Sequence, residues 1–147
     1  MSVSEILIRK IKKEDAHELQ RISAAITKEP TKIDFEEIAA YEARRAKDAS
    51  FVAEIDGKIV GYMISYVLSG LFGIEKSAWI VMLGVDPKYM DRGIGKSLAD
   101  KVFEFYRNEG ITNIFSSVRW DSTDLLSFFK TLGFDRSNFI NLRRVLE

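Results

Sequence analysis

Residues 81–98 constrain the fold more than any other part of the chain. They contain the end of an apolar strand, a turn at Pro87, glycines at Gly93 and Gly95, and the start of a segment with apolar residues at helical spacing. The first N–H groups of a helix have no intrahelical partner, and the helix dipole favours negative charge there. The segment therefore predicts a strand that leads directly into an anion-binding helix N-terminus.

Two common phosphate-binding motifs do not fit this segment. A P-loop ends in Gly-Lys-Ser, which is present at residues 95–97, but its first glycine would have to stand where Met90 is. A dinucleotide-binding fingerprint needs a third glycine at the position of Leu98. The glycines then either shape only a turn or admit an anion beside Arg92 and Lys96.

Composition removes several classes of chemistry. The 147 residues have 22 basic and 22 acidic side chains, 46% hydrophobic residues, one His and no Cys. The zero net charge disfavours general binding to nucleic acid or to a membrane surface. Thiolate or two-histidine metal sites and a Cys nucleophile are excluded, so we expect no metal. The N-terminal residues lack the apolar core of a signal peptide, which favours a cytoplasmic location.

Hydrophobic periodicity predicts one mixed α/β domain over residues 1–147. An Asp-Gly turn at residues 56–57 predicts a β-hairpin. The predicted strands cover residues 6–11, 50–54, 58–67, 78–85, 111–118 and 139–146, and the predicted helices cover residues 14–26, 35–47, 94–109 and 122–132.

The run Met90-Asp91-Arg92-Gly93-Ile94-Gly95 resembles the signature of the GNAT superfamily of acetyl-CoA-dependent N-acetyltransferases. Met90 stands where that family prefers Arg or Gln. A second motif also resembles the family, with Ser122 at the Asn position, Phe129 at the Tyr position, and Gly-Phe at residues 133–134. The resemblance implies a single-domain GNAT-like α/β fold, with a mixed, mostly antiparallel central sheet, a splayed strand pair and flanking helices.

The resemblance also implies where acetyl-CoA, the expected co-substrate, would bind. The pantetheine arm would lie between the strands at residues 78–85 and 111–118, beside Leu83 and Val85. The N–H of Leu83 would stabilise the oxyanion that forms as an amine attacks the thioester. The remaining expected cofactor-binding residues are those of the loop and of the second motif: Met90, Asp91, Arg92, Gly93, Ile94, Gly95, Lys96, Ser122 and Phe129.

The proton-transfer groups are less determined by the sequence. The strand at residues 78–85 has no acid, so the candidate catalytic bases are Glu75 and Asp121, each of which also fits a solvated or capping role. Phe129, at the Tyr position of the second motif, has no hydroxyl group and cannot protonate the departing thiolate. Water or Tyr89 would then supply that proton. Residues 27–41 and 69–76, with Phe72 and Trp120, are the expected substrate walls.

The sequence thus predicts an N-acetyltransferase that moves an acetyl group from acetyl-CoA directly to a primary amine of a peptide, a protein or a small molecule. The alternative is a non-catalytic acyl-CoA-binding sensor or interaction module, which Phe129 favours. A nucleotide-binding protein is a third hypothesis, which rests on residues 95–97 alone. The protein is expected to be a monomer or a homodimer that pairs through its final strand.

Overall fold

The computed structural model describes residues 5–147. Over these residues the chain forms five strands and four helices, with short 3₁₀ turns at Lys13–Asp15, Leu71–Gly73 and Pro87–Tyr89. In chain order the elements are β1 (Leu7–Lys10), α1 (Ala16–Thr27), α2 (Phe35–Ala43), β2 (Phe51–Ile55), β3 (Lys58–Ser69), β4 (Lys76–Val85), α3 (Ile94–Asn108), β5 (Ile114–Ser116) and α4 (Thr123–Thr131).

The five strands form one mixed sheet in the order β1-β2-β3-β4-β5. The first four strands pair antiparallel, and β5 pairs parallel to β4. The hairpin between β2 and β3 turns at Asp56 and Gly57, whose φ angles of 52° and 80° are both positive, as a tight primed turn requires. The predicted mixed α/β fold with a mostly antiparallel sheet is confirmed.

A hydrophobic core lies on each face of the sheet. One core packs α3 and α4 against the sheet through residues such as Ile94, Leu98 and Phe129. The other packs α1 and α2 against the opposite face through Leu19 and Phe35. We call these faces the α3 face and the α1/α2 face. Strand β4 therefore has α3 on one side and α1 on the other.

Two predicted elements are shorter than expected. Helix α2 ends at Ala43 rather than near residue 47. The chain turns there and places Asp48 beside β3, where the Asp48 carboxylate accepts the Val67 N–H at 3.1 Å. Strand β5 keeps three of the eight predicted residues. It pairs with β4 only from Ala78↔Ile114 to Ile80↔Ser116.

The predicted final strand over residues 139–146 is wrong, since residues 135–147 form no helix or strand. An alternating pattern becomes a strand only where a neighbour offers backbone partners, and β5 pairs with β4 over three residues only. Phe139 instead packs its ring against Phe72 and Phe115. Beyond it, Ile140 and Leu142 are 85% and 88% exposed.

Candidate active site

Strands β4 and β5 diverge after three paired residues. Their last pair is Ile80↔Ser116, and the Ser116 hydroxyl also donates to the Ile80 carbonyl at 2.9 Å. Strand β4 then continues to Val85 along β3, while the chain of β5 leaves the sheet. The predicted splayed pair is therefore present, and it leaves one edge of β4 unpaired by β5 beyond Ile80.

Backbone alternation identifies the N–H groups at this open edge. The Asp86 N–H, immediately after β4, donates to the Val60 carbonyl on the β3 side at 2.8 Å. Successive residues of a strand direct their backbone groups to opposite sides. Counting back from Asp86, the N–H groups of Val85 and Leu83 face away from β3. These are the two strand residues that the sequence resemblance places beside the pantetheine arm.

Helix α3 begins without a side-chain cap. Its first intrahelical bond runs from the Ser97 N–H to the Gly93 carbonyl at 2.9 Å, and no acidic residue lies in its first turn. The N–H groups of Ile94, Gly95 and Lys96 precede that bond and have no helical acceptor. Their direction and the helix dipole make this end of α3 suitable for an anion.

The loop before α3 contains two positive φ angles. Asp91 has φ 62° and Gly93 has φ 76°. Aspartate tolerates the left-handed region better than most residues, and glycine enters it without strain. A Cβ at Gly93 would meet no heavy atom within 4 Å, so conformation rather than space requires this glycine. Met90, at the start of the loop, is half exposed and extended.

Gly95 has a different role, which is to allow close helix packing. A Cβ built at Gly95 would lie 3.0 Å from two ring carbons of Phe128 in α4. The aromatic ring of Phe128 thus occupies the space that any other residue at position 95 would need. This contact joins the first turn of α3 to α4, and the sequence analysis did not identify it because Phe128 has no motif of its own.

The basic side chains near the loop already have partners. The Arg92 guanidinium carbon lies 5.0 Å above the ring centroid of Tyr89, and Lys96 Nζ lies 2.8 Å from an Asp100 carboxylate oxygen. Lys96 and Asp100 are both exposed, so this ion pair is weak and exchangeable. The backbone N–H groups at the start of α3, which have no helical acceptor, are consequently more available to an anion than these two side chains.

The second-motif residues lie at the two ends of α4. Ser122 is the N-cap residue of α4, and its hydroxyl makes no capping bond. Phe129 is only 5% exposed and packs edge-on against Phe128 and Phe134 at ring-centroid distances of 5.7 and 5.0 Å. The structure places Phe129 in the core of the α3 face, where its ring supports α4 rather than lining an open groove.

Glu75 lies far from the diverging edge. It is exposed, immediately before β4, whereas Leu83 is eight residues further along. At about 3.3 Å per strand residue the separation is roughly 26 Å. A carboxylate at that distance cannot reach a thioester at Leu83. The structure therefore separates this predicted catalytic residue from the other site residues.

Asp121, the second candidate base, is a weak proton acceptor. It follows β5 on the diverging side and precedes α4. A hydrogen-bonded ion pair with Arg119, at 3.1 Å, lowers the pKa of the Asp121 carboxyl below its usual value. A lowered pKa stabilises the carboxylate and reduces its tendency to take up a proton.

The sequence analysis also missed an ion pair that holds the turn before α3. The buried carboxylate of Asp86 lies 2.9 Å from Arg21 in α1 and accepts the Lys88 N–H at 3.0 Å. Burial alone would raise the pKa of Asp86, but the Lys88 N–H and the Arg21 guanidinium lower it below its usual value. The sequence alone does not reveal this pair, because 65 positions separate Arg21 and Asp86 in the chain.

Two surface cavities lie away from the diverging strands. One, of about 450 Å³, lies among residues 9–14 and Ala43. The other, of about 330 Å³, lies beside Glu75 and the end of α3. Within residues 5–147, no cluster of side chains suits a metal ion, and no helix is long and apolar enough to cross a membrane.

Comparisons with known proteins agree with this geometry. The model of the acetyltransferase (GNAT) family matches residues 13–134, so the chain belongs to the GNAT acetyltransferase family. An uncharacterised N-acetyltransferase of Methanocaldococcus jannaschii is 31% identical over 99 residues, which are 66% of this chain and 43% of that protein. The mycothiol acetyltransferase of Amycolatopsis mediterranei is 31% identical over 107 residues, 69% of this chain and 35% of that one. The chain thus spans less than half the length of these relatives.

Solved structures share the fold at lower identity. An aminoglycoside N-acetyltransferase in complex with CoA superposes with a TM-score of 0.81 at 18% identity, covering 98% of this chain and 97% of the other. At this identity the likeness concerns the fold alone. The predicted GNAT-like α/β architecture is confirmed.

Proposed function

We propose that this protein is an N-acetyltransferase that moves an acetyl group from acetyl-CoA directly to a primary amine. The observation that carries the proposal is the divergence of β4 and β5 beside the uncapped N-terminus of α3. An unpaired strand edge suits an amide-containing arm, and an uncapped helix end suits a pyrophosphate. These two features lie on consecutive segments of the chain, joined by the turn at Pro87–Tyr89.

Each part of acetyl-CoA has a matching group in this chain. The pyrophosphate would accept hydrogen bonds from the N–H groups of residues 90–96, with Arg92 and Lys96 adding positive charge. The pantetheine amides would pair with the open edge at Leu83 and Val85. The Leu83 N–H would donate to the thioester carbonyl oxygen. Bound acetyl-CoA would supply an activated acyl group with a thiolate leaving group.

Proton transfer would depend mainly on water. An alkylamine with a pKa of about 10.4 must lose a proton before it attacks the thioester. Asp121 is the acid that we retain as a candidate base, acting through a water molecule, and Glu75 is too distant. For the thiolate, Phe129 offers no proton, so water or Tyr89 would provide it.

The buried Phe129 also favours a second function, a non-catalytic acyl-CoA sensor or interaction module. Such a protein needs the phosphate loop and the open edge of β4, but no proton donor. We further propose a cytoplasmic protein that acts on a small molecule or a protein amine, without nucleic acid or membrane partners. It would be a monomer or a homodimer, in which the exposed residues 140–146 offer an apolar surface.

Thermal unfolding in the presence of ligands tests the proposal. Acetyl-CoA or CoA at a hundred times its dissociation constant should add about 2.7 kcal/mol to the free energy of unfolding, whereas ATP should add little. Release of CoA thiol with a panel of amines then separates the enzyme from the sensor. Stabilisation by ATP alone would support the nucleotide-binding hypothesis, and no stabilisation by CoA would contradict both acyl-CoA functions.

A further inference from the structure

An aromatic row crosses the α1/α2 face of the sheet beside the candidate site. Trp79 of β4 stacks on Phe115 of β5 with ring centroids 4.8 Å apart. Phe115 contacts Phe139 edge-on at 5.8 Å, and Phe139 stacks on Phe72 at 4.8 Å. These four rings, which we call the aromatic row, come from two strands, the C-terminal segment and the loop before β4.

The row begins where the edge of β4 opens. Trp79 and Phe115 form the register pair immediately before Ile80↔Ser116, after which β5 leaves β4. Ile80 points into the core of the α3 face, so its neighbour Trp79 points to the opposite face. On that opposite face the rings of Trp79 and Phe115 lie outside both hydrophobic cores, next to the point where the edge of β4 opens. An acceptor amine that approaches the start of the open edge from this face would contact these two rings.

Phe72 is held in a conformation that is unfavourable for an aromatic residue. Its φ angle is 52°, between Gly70 at 74° and Gly73 at 78°, and its side chain is 62% exposed. A positive φ at a bulky residue persists only where the surroundings impose it, and glycine would relieve it. The stack on Phe139 is the contact that orients Phe72. An exposed, strained ring suggests that its aromatic surface has a use.

The chemistry of the row is apolar and electron-rich. None of its four residues is charged, and β4 has no acidic residue. The indole N–H of Trp79 already donates to the Ser77 hydroxyl at 2.9 Å, so the row offers ring faces and edges. Ring faces attract ammonium groups and apolar surface, whereas a polyamine or an amino sugar needs several carboxylates or hydrogen-bond partners.

We propose that the aromatic row determines acceptor specificity, and that the acceptor is a cationic amine carried on an aromatic or apolar group. The inference rests on the proposed acetyl transfer at the edge of β4. Trp79 and Phe115 act as the specificity residues that contact the acceptor, Phe139 and Phe72 support these two rings from the paired end of β4, and the backbone groups of β4 and α3 hold the cofactor.

Fluorescence of Trp79 tests acceptor binding without turnover. The chain has two tryptophans, and Trp120 is 88% exposed with no ring contact in the described part of the chain. In Trp120→Phe, Trp79 is the sole tryptophan. Titration with 2-phenylethylamine should change its emission with an affinity at least tenfold higher than that for spermidine or glucosamine. Equal affinities, or tighter binding of spermidine or glucosamine, would overturn the inference.

Kinetics with acetyl-CoA separate the row from general stability. Phe115→Leu and Phe139→Leu should each raise KM for 2-phenylethylamine about tenfold and leave KM for acetyl-CoA unchanged. Phe103→Leu is the matched control, because Phe103 packs against Phe134 on the α3 face. An equal rise of the amine KM in Phe103→Leu would contradict the assignment.

The two proposals fail in different ways. If acetyl-CoA does not raise the unfolding midpoint, the proposed function is wrong, while the Trp79 titration still reports whether the row selects aromatic amines. If acetyl-CoA binds and is consumed but the amines are not discriminated, the function stands and the inference about the row is wrong.

Discussion

The two sides of the candidate site are built in different ways. The proposed cofactor side consists of backbone groups from one continuous stretch, the end of β4 and the loop into α3. The proposed acceptor side consists of aromatic side chains from residue 72 to residue 139, brought together by the folded chain. The first is specified by local sequence, since glycine positions and a helix start dictate it. The second exists only after the whole chain has folded.

The largest expected effect on acetyl-CoA binding comes from closing the space at Gly95. Gly95→Val would place branched carbons where Phe128 now lies at 3.0 Å from the ideal Cβ position. Overpacking of this kind costs about 1–3 kcal/mol, and the shift of α3 from α4 would displace the N–H groups that we propose bind the pyrophosphate. We expect the acetyl-CoA affinity, measured by isothermal titration calorimetry, to fall about 100-fold, or roughly 2.7 kcal/mol.

A second substitution distinguishes packing from backbone approach to phosphate. In Gly95→Val with Phe128→Ala the ring is removed, so at least a tenfold recovery of acetyl-CoA affinity is expected. If the double variant binds acetyl-CoA no better than Gly95→Val alone, Gly95 is needed for close approach of the backbone to the phosphate. The proposed difference between Gly95, required for packing, and Gly93, required for its backbone conformation, would then be wrong.

The sequence predicted the elements around the proposed cofactor side closely because their determinants are contiguous. The strand at residues 78–85, the turn at Pro87 and the helix from Ile94 were each predicted within two residues of their observed bounds. Residues 139–146 were predicted wrongly, since alternation specifies a strand only when a partner edge exists. The aromatic row and the Arg21–Asp86 pair join residues far apart in the chain, and a single sequence contains no local signal for such contacts.

The α1/α2 face also contains a buried acidic residue, Glu42, which makes the free energy of unfolding of the protein depend on pH. Glu42 is fully buried; Ser50 donates to one carboxylate oxygen at 2.8 Å, and the other has no hydrogen-bond partner in the described part of the chain. Burial raises the pKa of Glu42 to about 7, although the Ser50 hydroxyl acts in the opposite direction. The folded state therefore keeps the proton over a pH range in which the unfolded state has lost it.

This difference has a definite sign. The contribution of Glu42 is fully present below the unfolded pKa of 4.5 and is lost as pH rises to about 7. At about 1.4 kcal/mol per pKa unit, the loss is on the order of 3 kcal/mol. Glu42→Gln should be more stable than the wild type at pH 8 by that order and nearly equal at pH 4.5, as measured by urea unfolding.

The other buried acidic residues with shifted pKa values do not produce the same pH dependence of stability. Asp15 and Asp86 have lowered pKa values, so their contributions are lost as pH falls below about 3.8. The Glu42 window lies above that range. A constant difference between wild type and Glu42→Gln from pH 4.5 to pH 8 would contradict the raised pKa.

A smaller effect is expected where α1 supports the cofactor side. Arg21→Met removes the guanidinium partner of one oxygen of the buried Asp86 carboxylate, which lies at the turn between β4 and α3. An unpaired buried acceptor costs about 1–3 kcal/mol, so the free energy of unfolding should fall by that amount and the acetyl-CoA affinity several-fold. Arg119→Met is the matched control, because it removes an exposed ion pair with Asp121. An equal loss of stability in both variants would show that Arg21 has no special supporting role.

The smallest effect separates backbone from side-chain recognition of the pyrophosphate. Lys96 is 70% exposed and pairs with Asp100, so its charge is largely screened and partly neutralised. Lys101 lies on the same helix, further from its N-terminus, with Glu104 as its partner at 3.9 Å. Lys96→Met should weaken acetyl-CoA binding less than threefold at 0.15 M salt, and Lys101→Met should leave it unchanged. A tenfold loss in Lys96→Met alone would mean that the lysine, rather than the N–H groups of α3, holds the phosphate, and the cofactor side would then depend on side chains as the acceptor side does.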